Sequence, residues 1–274
     1  MSFCVTAFMK KILLLVLFLL PLNAQAQDTN TDTPENAVKS VKSPKNRVVL
    51  LELYTSEGCS SCPPADRFLS SLKAAGISDK QLIPVAFHVT YWDYIGWKDR
   101  FAKKQHDERQ RVLAYKKKKS TVYTPQFVLS GDDYRSYVTF TEDVNKLAAE
   151  KAMVDLMLTA KILSDGKGAD SLRLNLTADI SASVVKDVGY YLVVVENNLV
   201  SDVSDGENDG EKLHHDYVVR HFLGPLFQSK VDNQLSRVQV IVLQPEWKRE
   251  DLSIVAFAEN AHTGEVLQAV RLDY

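Results

Sequence analysis

Cysteine is scarce in this chain: three residues in 274, too few to hold a small fold together by disulfides. No charge of one sign dominates. The 33 lysines and arginines are balanced by 35 aspartates and glutamates, for a net charge of −2. That balance excludes a dominant nucleic-acid or anionic-membrane surface. Long apolar runs are missing, apart from one at the extreme N-terminus. Glycine is sparse around the strand-like segments, and neither a phosphate-binding loop nor a Ser-His-Asp arrangement is evident. The composition is that of an ordinary globular protein, 45% hydrophobic and 25% charged, which excludes a disordered or fibrous chain.

The N-terminal run has the grammar of an export signal. Lys10 and Lys11 precede the apolar stretch 12–20, Pro21 ends it, and Ala24-Gln25-Ala26 supplies a small-x-small cleavage site. The stretch is shorter than the ~20 residues that a spanning helix needs. Residues 1–26 are therefore expected to be removed. The product would be periplasmic or secreted, with no stable membrane span. Cys4 would be lost with the signal, leaving Cys59 and Cys62 in a compartment that permits disulfides. Residues 27–44 are polar and read as a flexible leader.

Further on, 47–54 is a β-branched, apolar strand candidate. Cys59-Ser60-Ser61-Cys62-Pro63-Pro64 follows, and Ala65, Phe68, Leu69 and Leu72 then recur at helical spacing. Prolines suit the first turn of a helix, so the helix is placed just after the cysteines. A second strand at 82–89, a helix at 98–118, short strands at 126–129 and 134–138, and a helix from 139 to about 151 complete a β-α-β-α-β-β-α order over 45–151. From 152 to 274 the pattern changes to seven strand-like runs separated by turn clusters, which suggests a mostly-β, sandwich-like second domain.

The cysteine pair carries the chemistry. Two cysteines three apart at a helix start can close a small disulfide, and the helix N-terminus lowers a thiol pKa there. The first cysteine of such a pair is usually the exposed one, which makes Cys59 the nucleophile and Cys62 the resolving thiol. Two other readings stand beside this. A disulfide closing so short a loop adds only roughly 2 kcal/mol as a structural staple. Alternatively, the thiols form a copper or zinc site, with His88 recruited to Cys59 and Cys62.

His88, Trp92, Asp93 and Trp97 follow the second strand, at the edge where open α/β sheets bind ligands, and are read as a substrate cleft. Lys116 to Lys119 read as a solvated helix end. Asp205 to Gly210 read as an acidic turn rather than a calcium loop. The adjacent His214 and His215 point to opposite faces if they lie on a strand.

The strand, C-x-x-C helix, strand and helix resemble the thioredoxin fold. In that fold a cis-proline faces the cysteines, and the matching position here is Thr124-Pro125. The segments ELYTSEGCSSCPPAD (52–66), FHVTYWDYIGWKDRF (87–101), VYTPQFVLSG (122–131), GENDGEKLHHDYVVR (206–220) and AFAENAHTGEVLQAV (256–270) resemble one bacterial family, the secreted, thioredoxin-like domain-of-unknown-function family 1223. The resemblance implies export and an α/β thioredoxin-like domain, and supplies no substrate. Thr90 departs from the acidic residue of that family's pattern. Gly58 and Pro63 flank the cysteines where thioredoxins differ.

The expected activity is thiol–disulfide exchange on an extracytoplasmic protein or a small thiol. The alternatives are a metal carrier and a structural disulfide. No cofactor is implied, and no nucleic-acid partner.

Overall fold

Strand β2 (Val49–Thr55) is buried along its whole length, as its largely apolar sequence, interrupted by Glu52, suits a strand covered on both faces. It was preceded in the chain by β1 (Lys39–Lys42) and is followed by helix α1 (Pro63–Ser71), β3 (Leu82–His88), α2 (Lys104–Lys116), β4 (Gln126–Leu129), β5 (Asp132–Tyr134) and α3 (Phe140–Ala148). The computed structural model describes residues 38–164, 170–180, 187–228 and 234–274, together with Met1 and Gly166. The export signal expected at 1–26 lies outside the described residues, as does the leader before residue 38. The remainder of that leader includes β1, which pairs antiparallel with the edge of the next strand, β6 (Val154–Ser164).

After β6 come β7 (Asp170–Ile180), β8 (Val188–Glu196), β9 (Leu199–Asp202), β10 (Lys212–His215), β11 (Val218–Phe227), β12 (Gln234–Val242), β13 (Leu252–Asn260) and β14 (Val266–Asp273). They do not form a structure of their own. One eight-stranded sheet runs β14-β13-β8-β11-β3-β2-β4-β5, so it takes strands from both sides of residue 151. A four-stranded sheet, β1-β6-β7-β12, and a small β9-β10 ribbon complete the strands described.

The expectation of an α/β thioredoxin-like domain followed by a sandwich-like domain is therefore corrected. The described residues are mostly β, 46% strand against 18% helix, and no separate thioredoxin-like α/β domain is present among them. The reason is pairing. Periodicity reports where a strand lies, not which strand lies beside it. Here β11 joins β3 in parallel and β8 antiparallel, which carries the first-half strands into a sheet shared with the second half.

Three apolar layers follow from the alternation of side chains across the sheet. In β8, Tyr190, Leu192 and Val194 face the four-stranded sheet, packing with Leu156, Leu158 and Leu174. The intervening Tyr191, Val193 and Val195 face the side of α2 and Leu113. In β2, Val49, Leu51 and Leu53 pack under α1 and α3 against Leu69, Phe140 and Val144. The four-stranded sheet, α1 and α3 thus share one face of the large sheet, and α2 covers the other.

What α2 brings to its face is mostly polar. The Arg109 guanidinium bonds to both carboxylate oxygens of Glu52 on β2, at 2.8 and 3.1 Å, and pairs with Glu259 on β13 at 2.6 Å. Tyr54 Oη donates to Glu52 at 2.7 Å, and Lys116 reaches Glu259 at 2.5 Å. The guanidinium also lies over the rings of Tyr191 and Phe257. Burial alone would weaken its charge, but Glu259 and Glu52 outweigh burial and hold the pKa high.

His106, in the first turn of α2, is wholly buried. Its Nδ1–H donates to the His88 carbonyl at 2.8 Å, which leaves Nε2 buried without a partner among the described residues. Protonating that nitrogen would bury a charge, so burial pushes the pKa down to about 4. The unfolded chain binds this proton below about pH 6.5. Stability owed to neutral His106 is therefore complete above pH 6.5 and is lost as the pH falls towards 4, by up to about 3 kcal/mol. Denaturant unfolding of wild type and His106→Gln across pH 7 to 4 should show the variant losing less. Parallel profiles would sink this account.

Candidate functional site at the cysteine loop

The cysteine loop joins the end of β2 to α1. Cys59 and Cys62 form a disulfide, and Cys62 is the N-cap residue of α1. Pro63 and Pro64 occupy the first helical positions and have no N–H groups. The next two amides, of Ala65 and Asp66, both bond to the Cys62 carbonyl. Donors for a thiolate at Cys59 therefore come chiefly from side chains. Ser61 Oγ lies 3.3 Å from Cys59 Sγ. The Thr124 hydroxyl donates to the same sulfur at 3.4 Å.

Thr124 reaches the sulfur from the segment before β4, across the Thr124–Pro125 bond, which is cis. Trp92 Nε1–H donates to Thr124 Oγ1 at 2.6 Å. An indole N–H can only donate and a hydroxyl has one proton, so the Thr124 proton is left for Cys59. Gly58 leaves room for this arrangement. A Cβ there would stand 3.3 Å from Trp92 Cβ and 3.4 Å from the Trp92 carbonyl.

Contrary to the usual exposure of a nucleophilic cysteine, both cysteines are wholly buried. The cysteine loop is also tied to the second half of the chain, through the turn between β9 and β10. Glu207 accepts from Ser60 N and Oγ, at 3.0 and 2.8 Å. Asn208 Nδ2 donates to the carbonyls of Glu57 and Cys59, at 2.7 and 3.1 Å. The acidic turn of the sequence is thus a clasp on the cysteine loop.

Below the loop lies a buried set of titratable groups. His88 Nδ1 bonds to Asp99 at 2.6 Å; Asp99 also accepts from the amides of Glu57 and Phe101. Burial would raise the Asp99 carboxyl, but His88 and these donors hold it below its ordinary range. His215, the inward-facing histidine of β10, stands 3.4 Å from Glu57 and 3.8 Å from Asp66. Burial would lower its pKa, but the two carboxylates carry it up to about 9. Glu57, which burial would raise, is held low by His215, Ser201 and Trp97.

Of the residues singled out in the sequence, Cys59, Cys62, Trp92 and Thr124 meet directly, with Pro125 beside them in the cis pair. Trp97 Nε1–H donates to Glu57 at 2.7 Å, and so belongs to the buried set with His88. Asp93 is half-exposed and accepts from the Asp99 amide at 3.3 Å. Thr90 donates through its amide and hydroxyl to Asp107 of α2. Sequence reasoning missed Glu57, Asp66, Asp99, Glu207 and Asn208. The one usable signal was the alternation of His214 and His215: His214 is exposed and His215 buried.

Residues 50–259 match the family model described as protein of unknown function (DUF1223), and the chain belongs to that family. No curated protein matches it. Two solved structures share the fold. The X-ray structure of protein AGR_C_4864 from Agrobacterium tumefaciens is 21% identical, with a TM-score of 0.54, covering 84% of this chain and 96% of that one. HBP35 of Porphyromonas gingivalis is 15% identical, with a TM-score of 0.61, covering 84% of this chain and 76% of that one. At these identities the likeness concerns the fold alone. In both, the matched share of this chain is too long to lie within either half of it.

Proposed function

We propose that this protein is exported and exchanges thiols and disulfides through Cys59 and Cys62, on an extracytoplasmic protein or a small disulfide. The observation that carries the reading is the donor chain from Trp92 through Thr124 to Cys59 Sγ. A purely structural disulfide has no need of a hydroxyl proton aimed at one of its sulfurs, whereas a departing or attacking Cys59 thiolate is stabilised by it. Export is supported by the composition of residues 1–26.

In the reducing direction, the Cys59 thiolate attacks one sulfur of a substrate disulfide. A mixed disulfide forms and the first substrate thiolate leaves. The Cys62 thiolate then attacks Cys59 Sγ, releasing the second substrate thiolate and closing the Cys59–Cys62 bond. Two electrons pass from the protein dithiol to the substrate, and the reverse sequence oxidises a substrate dithiol. Either direction needs the cysteine loop to open, because both cysteines are wholly buried in this structure.

Equilibration of the protein with glutathione buffers, in the presence of a metal chelator, tests the reading. A reduction potential between roughly −270 and −120 mV, the span of exchange enzymes, is expected. A potential below about −300 mV would mark a structural staple instead.

A further inference from the structure

We propose that Asp66, His88 and His215 form a binding site for one divalent first-row transition ion, of which zinc is the simplest. The site is separate from the cysteine sulfurs and does not depend on the exchange reading.

Three observations carry it. The first is geometry: one ligand atom from each residue lies within 4.8 Å of the other two. A tetrahedral ion with bonds of about 2.0–2.1 Å holds its ligand atoms roughly 3.4 Å apart. Contraction of the widest pair by about 1.5 Å closes the site, a displacement within reach of side-chain rotation. The second is the state of the nitrogens. His88 is wholly buried, and its Nε2 has no hydrogen-bond partner among the described residues. Its Nδ1 stands 2.6 Å from Asp99, so an imidazole whose one proton sits on Nδ1 presents a lone pair at Nε2. His215 is also buried, and neither of its nitrogens is aligned for a hydrogen bond, although carboxylates stand close by; ligation through one nitrogen displaces the proton held there. Unpaired buried polar atoms are costly, and ion binding is a direct way to satisfy them.

The third is the outer shell. Ligating histidines commonly present their second nitrogen to a carboxylate. Here His88 has Asp99 at 2.6 Å, and His215 Nε2 has Glu57 at 3.4 Å while its Nδ1 faces Asp66. The Asp66 oxygen that does not face His215 accepts from Thr55 Oγ1 at 2.9 Å. Two imidazoles and one carboxylate suit zinc, iron(II) or cobalt(II), and not calcium or magnesium, which take oxygen ligands. The ion would join α1, β3 and β10, which are far apart in sequence, directly below the cysteine loop.

The test uses the full chain with its disulfide intact, verified by thiol titration, so that Cys59 and Cys62 cannot act as thiolate ligands. After chelator treatment, titration with zinc alone should give one site per chain, tighter than about 1 μM, with a rise in Tm. Asp66→Asn and His215→Gln should each weaken binding by about 100-fold or more, since even outer-shell losses cost 10- to 100-fold. His214→Gln, on the exposed neighbour, should not. Cobalt(II) should give visible bands of low-symmetry coordination without a sulfur-to-cobalt charge-transfer band. Near-UV circular dichroism identifies any variant that fails to fold, and the other ligand variant then decides. No saturable zinc uptake, uptake unchanged in a folded ligand variant, or a sulfur charge-transfer band would overturn the proposal.

Discussion

Replacing Arg109 with methionine is expected to lower unfolding stability by about 3–5 kcal/mol, the cost of leaving buried charges without their partner. Methionine fills much of the same volume and keeps the contact with the aromatic rings, so the loss reports charge rather than a cavity. Glu52 is almost wholly enclosed and Glu259 completely so. Without Arg109, Glu52 keeps only Tyr54 Oη of the partners described above, and Glu259 keeps Lys116. Urea unfolding at neutral pH measures the change. Adding Glu52→Gln and Glu259→Gln to Arg109→Met should recover a large part of it, because the uncompensated carboxylates are then gone. A loss under about 1 kcal/mol in the single variant would mean that the centre relaxes to let water in.

The second large effect concerns chemistry. Cys59→Ser is expected to abolish exchange, and Cys62→Ser to stop it half-way. Incubated with glutathione disulfide, reduced Cys62→Ser should gain one glutathione, visible as an adduct mass, and hold it, because no resolving thiol remains. Cys59→Ser should gain little, since Thr124 and Ser61 supply their donors to the sulfur at position 59. Equal adduct formation on the two variants would remove the distinction drawn between the cysteines, and turnover in Cys59→Ser would remove the mechanism.

Legibility in the sequence divides along a physical line. Local features were readable. The apolar run that becomes β2, the prolines that open α1, and the helical spacing of Leu69 and Leu72 each depend on neighbours within a few residues. The disulfide is equally local, closed across three positions. Features made by distant pairing were not readable. The bridge between Val218 and Ala86 that seats β11 beside β3 leaves no mark on either segment, since apolar residues at a bridge do not name their partner. Asp205 to Gly210 has the composition of any surface turn, and only the folded chain brings Glu207 and Asn208 onto the cysteine loop. Cys59 was expected at the surface from the usual exposure of a first cysteine, and its burial left no local mark. His215 could be assigned to one face of a strand, but not to the company of His88 and Asp66.

The shared sheet also imposes an order on events as the chain is made. When β3 has left the ribosome, one side of it can pair with β2, but the neighbour for its other side, β11, follows more than a hundred residues later. Until then an apolar strand presents a free edge, the kind of surface that templates intermolecular pairing. The cysteine loop spends the same interval without the contacts that Glu207 and Asn208 make to it. Closing the Cys59–Cys62 bond is a local event across three positions, whereas the contacts of Glu207 and Asn208 form only once the second half of the chain has been made.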